Sequence, residues 1–303
     1  MKLAAIVNPH SAAGRTGKLW PEIAHQFDHM DVHFTQGPNH ATQLARQLLA
    51  QGYDRILAVG GDGTAHEVIN GWLDSDLRPI SANCTLAVLP LGTGSDYQRS
   101  LGIRDLKDAL DLAHAEGPFS PIDLGQITYQ AHHGTQETRL FNNVVSFGMG
   151  GEVALASKNV FSRLSGKAAF QYATAKVFLT YRPKRATLTL DGKTLPESRI
   201  TNIAIGIGRY HGGGMHVCPQ SQLDDGLFEV TVIHQLRAWV LAKDLPVLYS
   251  ENLYVHPKVD HHRAARLTAA SPDLTSIEVD GEALGTLPIN LAALPRVLRV
   301  ARR

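Results

Sequence analysis

The stretch that decides the fold is Arg55-Ile-Leu-Ala-Val-Gly-Gly-Asp-Gly-Thr-Ala-His-Glu-Val-Ile-Asn-Gly71. Its first five residues read as a short buried strand, and residues 64–73 carry apolar side chains at helical spacing. Gly60, Gly61 and Gly63 therefore lie where a strand passes into a helix. Because glycine has no Cβ, we expect the backbone to adopt positive φ angles there and to approach a ligand closely. The unpaired amides at the start of the helix would then face an anion such as phosphate.

Asp62 stands in the mouth of this predicted anion site. A carboxylate there would repel a phosphate unless Mg²⁺ bridges the two groups or the carboxylate transfers a proton. Asp62 is therefore a candidate catalytic or metal-binding residue. The alternative is a glycine-rich turn in which Asp62 and Thr64 only cap the helix.

Composition limits the classes of protein that the chain can belong to. It has 303 residues, 44% of them apolar, which is enough for one large core and more typical of two domains. A formal net charge of +1 gives no global reason to expect nucleic acid as a partner. Cys84 and Cys218 are far apart, which favours a reducing compartment. With no apolar run of about 18 residues and no signal-peptide pattern, we expect a cytoplasmic protein that can contact a membrane surface.

The first half of the chain alternates strand and helix patterns. Its apolar runs lie at residues 2–7, 32–35, 55–59 and 86–90. This alternation predicts βαβ units and a parallel sheet, with ligands bound beyond the carboxyl ends of the strands.

A second loop of small and polar residues, Leu91-Gly-Thr-Gly-Ser-Asp96, follows the strand at 86–90. Loops after neighbouring parallel strands share one edge of the sheet, so this loop can face the glycine loop. Thr93 could donate a hydrogen bond to a phosphate, and Asp96 could cap a helix or hold water on a cation. Alone, such a loop is an ordinary turn with a helix cap. Because this loop follows the next strand after the glycine loop, its residues support the prediction of a phosphate site.

The second half of the chain is rich in strand patterns, which predicts a mostly antiparallel domain. The predicted strands are residues 122–129, 139–147, 186–190, 200–207, 227–233, 253–259, 265–270, 276–279 and 297–301. Asp191-Gly192 between alternating residues predicts a tight hairpin turn. The glycine-rich residues 206–215 suggest a backbone that closely approaches a ligand or another strand.

Residues 151–181 read as two helical pieces that interrupt these strands. From Glu152 to Asp191 no acidic residue intervenes. The basic residues in between are Lys158, Arg163, Lys167, Lys176, Arg182, Lys184 and Arg185. A basic amphipathic surface of this kind could lie on anionic lipid. The alternative is a helix pair that packs on the sheet and exposes its charged face to solvent.

Two acidic turns occur late in the chain. Asp224-Asp225 precedes a strand and could bind Mg²⁺ together with backbone carbonyls, or it could be an exposed turn. Asp280-Gly-Glu282 places two acids across a tight turn, which is either an ordinary hairpin or a catalytic site.

Taken together, five segments resemble the diacylglycerol kinase catalytic-domain family, which also contains sphingosine kinases and bacterial YegS-like lipid kinases. The segments are Asn8-Pro-His-Ser11, residues 60–71, Pro90-Leu-Gly-Thr-Gly-Ser-Asp96, Leu223-Asp-Asp-Gly-Leu227 and Asp280-Gly-Glu282. They occur in the family's order and span nearly the whole chain. The glycine-Asp segment is shared with NAD kinases and phosphofructokinases, whereas the third and fifth segments favour the lipid-kinase branch.

The resemblance implies an α/β fold with two domains. Residues 1–122 would form a nucleotide-binding parallel-sheet α/β domain, and residues 123–290 a mostly antiparallel β-sandwich-like domain for the lipid substrate. Residues 291–303 would return to the first domain.

The resemblance also implies roles for single residues. ATP would contact Asn8, Thr35, Gly60, Gly61, Asp62, Gly63, Thr64, Ala65, His66, Glu67 and Thr93. An accessory Mg²⁺ would bind Asp225 together with Gln222 and Leu227, the last two through backbone oxygens. The catalytic residues would be Glu282 as proton acceptor, Asp280 beside it, and Asp62, which shares catalysis or positions the catalytic Mg²⁺. Asp96 and Asp123 would hold water or a cation.

The function implied is an ATP-dependent lipid kinase that transfers the γ-phosphate to a hydroxyl of a lipid. Diacylglycerol, phosphatidylglycerol and sphingoid bases remain open as acceptors, because lipid pockets are lined by generic apolar residues. The expected partner is a lipid at the inner face of a membrane rather than a nucleic acid, and the sequence leaves a homodimer open. Two alternatives remain, a soluble kinase that acts on NAD and a membrane-associated nucleotide-binding regulator without turnover.

Overall fold

The structure is a computed structural model that describes residues 1–160, 166–236, 240 and 243–303. The chain forms two compact units. The first contains Met1–Leu124 and Pro295–Arg303, and the second contains Gly125–Leu294.

The first unit contains a four-stranded parallel sheet in the order β2-β1-β3-β4. Its strands are β1 (Leu3–Val7), β2 (Met30–Phe34), β3 (Arg55–Gly60) and β4 (Thr85–Pro90), and its helices are α1 (Arg15–Ala24), α2 (His40–Ala50), α3 (Asp62–Asn70), α4 (Asp96–Ser100) and α5 (Leu106–His114). Every residue of β1 and β3 is buried, as expected for inner strands that helices cover on both faces. The parallel α/β fold predicted for the first half is confirmed.

Arg55 fixes the beginning of β3. Its side chain is buried, and its guanidinium donates hydrogen bonds to the carbonyl oxygens of Ala113 and Ala115, the latter at 2.7 Å. These carbonyls lie at the end of α5, where they have no partner within the helix. Burial lowers the pKa of Arg55, and the two carbonyls compensate the loss of water around its charge. The charged residue that opens the deciding stretch therefore attaches α5 to the sheet.

The last residues of the chain belong to the first unit. Val300 pairs in parallel with Leu86, and the amide of Ala301 donates to the carbonyl of Leu86 at 2.8 Å. Beyond it, Arg303 Nε donates to Asp108 Oδ1 at 2.8 Å. Residues 297–299 of the strand predicted at 297–301 are the end of a longer strand that starts at Glu282, and Val300 forms only an isolated bridge.

The second unit is built on an antiparallel sheet of 11 strands, among the residues that the structure describes. Its strands are β5 (Pro121–Ala131), β6 (Gln136–Phe141), β7 (Val144–Gly148), β8 (Lys184–Leu190), β9 (Lys193–Thr194), β10 (Ser198–Gly206), β13 (Phe228–His234), β14 (Val259–Ala264), β15 (Arg266–Ala270), β16 (Ser276–Val279) and β17 (Glu282–Arg299), and β11 (Tyr210–His211) with β12 (Met215–His216) forms a small separate ladder. Additional pairing of β10 with β8 curls the sheet toward a barrel. The antiparallel sandwich-like fold predicted for the second half is confirmed.

Two helices, α6 (Met149–Val160) and α7 (Gly166–Thr180), lie between β7 and β8 in the chain, as predicted. The hairpin at Asp191-Gly192 is also confirmed, with φ angles of 47° and 84° between β8 and β9. Arg163 lies outside the described residues. None of the helices in the described part of the chain is long and apolar enough to cross a membrane.

The strand predicted at 253–259 is wrong. Leu253–Val255 forms a short 3₁₀ helix, and the strand begins only at Val259. Pro257 has no amide to donate to a ladder, and the ring of His256 accepts a hydrogen bond from the amide of Lys258 at 3.1 Å. The backbone therefore turns before the strand starts.

Candidate functional site

The glycine loop joins β3 to α3 through Gly61, which precedes the helix in an extended conformation with φ of −100°. Gly60, Gly61 and Gly63 all lack a positive φ angle, so the predicted left-handed backbone is wrong. Space is what requires a glycine at position 60. A Cβ on Gly60 would overlap the side chain of Thr64, at 2.9 Å from its Cβ. A Cβ on Gly63 would meet no described atom within 4 Å, so this position faces open space.

The loop after β4 touches the glycine loop backbone to backbone. A Cβ on Gly92 would overlap the Cα of Gly61 and lie 2.9 Å from its nitrogen. The amides of Leu91 and Gly92 both donate to the carbonyl of Gly60, at 2.8 and 2.9 Å. The two glycine-containing loops therefore form one surface at the carboxyl edge of the parallel sheet.

Asp62 links these two loops with its side chain. Its Oδ2 accepts a hydrogen bond at 3.0 Å from the amide of Asp96, the first residue of α4. The carboxylate therefore stabilises the start of α4 while it sits in the first turn of α3. Arg99 donates to Asp96 Oδ1 at 2.9 Å and to the carbonyl of Gly94 at 3.2 Å, which holds the second loop in place. Thr93, between these contacts, is exposed.

The loop after β1 reaches the same edge. Asn8 Nδ2 donates to Thr64 Oγ1 at 3.2 Å, and Asn8 Oδ1 accepts from the amide of His10 at 3.1 Å. Thr35 directly follows β2, is buried, and donates its amide to the carbonyl of Val7 at 2.9 Å. The structure thus brings together Asn8, Gly60–Thr64 and the loop of Thr93, as expected for residues at the ends of neighbouring parallel strands.

Three residues predicted to contact ATP have side chains that face the protein. Ala65 and His66 are only 1% and 2% exposed, and the His66 ring lies 3.2 Å from the side-chain amide of Asn70. Glu67 Oε2 accepts from the amide of Ala41 at 3.3 Å, in the first turn of α2. These side chains pack α3 within the unit. Asp123 is likewise buried, and its Oδ1 accepts from the amide of Arg296 at 2.8 Å.

In the second unit, Asp280 and Gly281 form the tight turn between β16 and β17, with φ angles of 47° and 92°. Asp280 Oδ1 accepts from the amides of Asn143 and Val144, both at 3.0 Å, and Oδ2 accepts from the amide of Asn142 at 2.9 Å. Three backbone donors therefore fix this carboxylate against the segment between β6 and β7.

Glu282 follows this turn and is more accessible. Its side chain is 43% exposed, and Arg139 Nη1 lies 3.5 Å from Oε2. A carboxylate that reaches solvent beside a guanidinium can accept a proton from a bound hydroxyl group.

Glu278 lies beneath the same turn and was not identified as a site residue from the sequence. It is 1% exposed, and its carboxylate accepts from Ser146 Oγ at 2.7 Å, from His211 Nε2 at 3.0 Å and from the amide of Gly281 at 2.5 Å. The sequence offered two signals for this pair: an acid between the apolar residues Ile277 and Val279, and a histidine in a glycine-rich segment. The pairing of distant strands, which brings these groups together, could not be read from the sequence.

The turn predicted to bind Mg²⁺ already contains an internal cation. Asp225 Oδ1 accepts from the amide of Leu227 at 3.0 Å, and Oδ2 contacts the guanidinium of Arg263. Arg263 Nε also lies 3.9 Å from Oε2 of the buried Glu229. A carboxylate and two carbonyls, those of Gln222 and Leu227, are oxygen ligands that suit Mg²⁺. A metal ion at Asp225 would therefore have to displace Arg263. Within the described ranges, no group of three or more His, Cys, Asp or Glu residues could hold a metal ion.

Comparison with known proteins gives two matching family models that cover most of the chain. The model described as the diacylglycerol kinase catalytic domain matches residues 2–127, and the YegS C-terminal NAD kinase beta sandwich-like domain matches residues 143–302. A diacylglycerol kinase of Bacillus subtilis is 27% identical over 307 residues, covering 99% of this chain and 96% of that protein. A protein of Pseudomonas putida described as a probable lipid kinase YegS-like is 29% identical over 273 residues. The match covers 89% of this chain and 84% of that protein.

Solved structures share the fold. A putative diacylglycerol kinase from Bacillus anthracis superposes with a TM-score of 0.76 at 23% identity and covers 100% of this chain and 97% of its own. An NAD kinase from Archaeoglobus fulgidus in complex with ATP superposes with a TM-score of 0.51 at 14% identity. The superposition covers 99% of this chain and 94% of that chain.

Proposed function

This chain belongs to the diacylglycerol kinase catalytic-domain family and is a lipid kinase, and we propose that it transfers the γ-phosphate of ATP to a hydroxyl group of a diacylglycerol-like lipid. The main observation in favour of ATP as the phosphate donor is the contact between Gly61 and Gly92. It joins two loops at the carboxyl edge of the parallel sheet into one surface, which is where α/β folds bind nucleotides.

The first unit supplies the phosphate-binding groups. Gly63 lies in the first turn of α3, where backbone amides have no partner within the helix and the helix dipole is positive. With open space at this position, a phosphate can approach the backbone directly. Asn8 and Thr93 add side-chain donors at the same edge. This arrangement supports binding of the ATP phosphates.

Mg²⁺ is implied by this chemistry, and the carboxylate oxygens of Asp62 fit it. When bound, the ion would offset negative charge on the phosphate oxygens. Asp62 is held at the junction of the two loops by the amide of Asp96, so its position is fixed before a ligand binds. At the accessory site, the carboxylate of Asp225 and the carbonyls of Gln222 and Leu227 would hold a second ion in exchange for Arg263.

The proposed proton acceptor is Glu282, the first residue of β17. Glu282 would take the proton of the lipid hydroxyl, whose oxygen then forms a bond to the γ-phosphorus as the bond to the bridging β,γ-oxygen breaks. ADP leaves with that oxygen. Asp280, bound by three amides, positions the turn from which Glu282 extends. Arg139, whose Nη1 lies 3.5 Å from Oε2, orients the carboxylate of Glu282.

Because the acceptor is amphiphilic, we also propose that residues 152–185 contact the inner face of a membrane. Lys158 and Lys176 are exposed, as are the apolar side chains of Tyr172 and Leu179, at 55% and 80%. Arg163 and the side chain of Lys167 lie outside what the structure describes.

The test is to incubate the protein with labelled ATP, Mg²⁺ and a total lipid extract, and to identify the phosphorylated product by mass. A phosphorylated lipid is expected, with at least about 100-fold less product from Glu282→Gln, a typical contribution of a general base. NAD and dispersed diacylglycerol are then offered in competition. Phosphorylation of NAD alone would assign a soluble kinase, and ATP binding without transfer to any acceptor would assign a regulator.

A further inference from the structure

A basic cavity of about 540 Å³ lies in the second unit, apart from the turns described above. It is lined by Arg182, Pro183, Lys184, Arg185, Arg199, Pro272, Asp273 and Leu274. Four cationic side chains therefore surround a space that contains one carboxylate. No role in the proposed phosphoryl transfer uses this cavity.

The single carboxylate, that of Asp273, mainly neutralises the charge of Arg185. Asp273 Oδ2 accepts from the amide and Nε of Arg185 at 2.9 and 3.3 Å, and Oδ1 accepts from Nη2 at 3.1 Å. These bonds lower the pKa of Asp273 to about 2, and Lys184 contributes a smaller charge effect. Glu197 is near enough to raise the pKa of Arg185 further. The side chains of Arg182 and Arg199 have neither an ion pair nor a hydrogen bond to any residue that the structure describes.

Strand pairing forces two of the cations together. In the antiparallel ladder of β8 and β10, Arg199 lies directly opposite Arg185. Like charges at directly opposed positions destabilise a sheet, and an anion bound between them would offset that repulsion. The planar guanidinium of Arg199 can bind two phosphate oxygens at once, which suits a phosphate monoester or diester.

The rim of the cavity is apolar, which distinguishes a lipid from free phosphate. Leu274 lines the cavity and is 77% exposed, and Pro272 lies beside it. Leu179, which is 80% exposed, precedes Arg182 by three residues in the chain. Apolar side chains next to cations suit the boundary between head groups and acyl chains of an anionic membrane. We propose that this cavity binds the phosphate of an anionic glycerophospholipid that is not the acceptor of the reaction.

The test compares vesicles of phosphatidylcholine alone with vesicles that also contain phosphatidylglycerol, in sedimentation assays without ATP. Arg199→Gln should weaken binding to the anionic vesicles by about 5-fold, which corresponds to roughly 1 kcal/mol for one cation near the surface. The matched control is Arg266→Gln, which removes an exposed arginine of the same unit outside the cavity. An equal loss in the control would overturn the proposal, because it would show a general charge effect.

Two further experiments test whether Arg199 recognises a phosphate group, and whether the cavity binds a lipid or free phosphate. Arg199→Lys keeps the charge but not the planar fork, so it should bind anionic vesicles more weakly than the wild type. Wild-type affinity in this variant would contradict phosphate recognition. Inorganic phosphate at constant ionic strength should not displace the bound protein, and displacement would assign the cavity to free phosphate instead.

The kinase assignment is tested separately from this cavity. Arg199→Gln should phosphorylate a detergent-dispersed acceptor at the wild-type rate, since Arg199 is outside the catalytic residues. A failure of the wild type in that assay would count against the proposed function, whereas unchanged vesicle binding by Arg199→Gln would count against the cavity alone.

Discussion

Asp62 Oδ2 accepts a hydrogen bond from the backbone amide of Asp96 at 3.0 Å, so one carboxylate holds the loops after β3 and β4 together. The simplest interpretation of such a residue is a structural cap. The proposed function needs the same carboxylate for its charge. These two roles can be separated, because a side-chain amide can accept the hydrogen bond but cannot bind a cation or a proton as a carboxylate does.

Asp62→Asn should therefore keep the fold and lose activity. Its Oδ1 can replace the acceptor for the Asp96 amide, so the free energy of unfolding should change by less than about 1 kcal/mol. The rate of lipid phosphorylation should fall by at least about 100-fold. Asp105→Asn is the matched control, because Asp105 also accepts an amide hydrogen bond at a helix start, from Asp108 at 2.8 Å. Activity of Asp62→Asn above half that of the wild type would leave Asp62 with only its structural role.

Gly63→Ala should make the protein more stable and a poorer binder of ATP. The position is helical and a Cβ there would meet no described atom, so the alanine should stabilise α3 by about 0.5 kcal/mol. The added methyl group would occupy the space through which a phosphate approaches the backbone. Urea unfolding and calorimetric titration with ATP measure the two effects. Stabilisation with wild-type ATP affinity would show that phosphate does not approach this position.

Gly92→Ala is the informative contrast, because there the Cβ would lie 2.9 Å from the nitrogen of Gly61. This variant should lose about 1–3 kcal/mol of stability as the two loops are pushed apart. Gly37→Ala serves as control, since a Cβ on Gly37 has open space.

The glycine loop also shows how far sequence reasoning reached. Apolar runs and helical spacing predicted the parallel sheet, and the common edge of such a sheet placed Asn8, Asp62 and Thr93 near one another. The cause assigned to the glycines was wrong, because none of Gly60, Gly61 and Gly63 has a positive φ angle. The space is required at Gly60 by the side chain of Thr64, and at Gly92 by the backbone of Gly61 in the facing loop. A contact between two loops depends on the packing of both, which periodicity within one segment does not report.

The same limit explains the residues that were missed in the second unit. The Asp-Gly turn at 280 and 281 could be predicted from local chemistry. Glu278 and Arg139 depend on which distant strands pair, and on the register of that pairing. Local rules identify turns and faces but not partners more than a hundred residues away.

Arg263 should compete with Mg²⁺ for the turn at Asp225. Arg263→Gln removes the guanidinium that contacts Asp225 Oδ2, so Mg²⁺ should bind the variant more tightly and raise its melting temperature more than that of the wild type. Asp225→Asn should abolish the Mg²⁺ effect in both backgrounds. Identical Mg²⁺ titrations of wild type and Arg263→Gln would show that Arg263 does not compete with Mg²⁺ for this turn.

Glu278→Gln should destabilise the second unit and slow the reaction. The carboxylate accepts from Ser146, His211 and Gly281, and an amide nitrogen at one oxygen position would leave at least one buried donor without an acceptor. We expect a loss of about 1–3 kcal/mol. Because the Gly281 amide holds the turn before Glu282, kcat should fall while the KM for ATP stays unchanged.

Ser146→Ala provides the control for this network, since it removes one donor and leaves the other two in place. It should cost about 1 kcal/mol or less and leave kcat close to the wild-type value. If Ser146→Ala lowers kcat as much as Glu278→Gln does, the effect comes from general loosening of the sheet rather than from the Gly281 contact.

The final residue of the chain should stabilise the first unit in a pH-dependent way. Hydrogen bonds from Arg303, followed by those from the side chain and amide of Arg104, hold the pKa of Asp108 well below its usual range. A carboxyl group whose pKa is depressed in the folded state adds stability above its unfolded pKa of about 3.9, and this stability is lost as the pH falls toward the folded value. Arg303→Ala should therefore be less stable than the wild type at pH 7, and the difference should shrink below about pH 4. In an Asp108→Asn background, Arg303→Ala should have little further effect at any pH. A destabilisation that stays constant from neutral to acid pH would mean that Arg303 acts through packing. Its ion pair with Asp108 would then not hold residues 295–303 against α5.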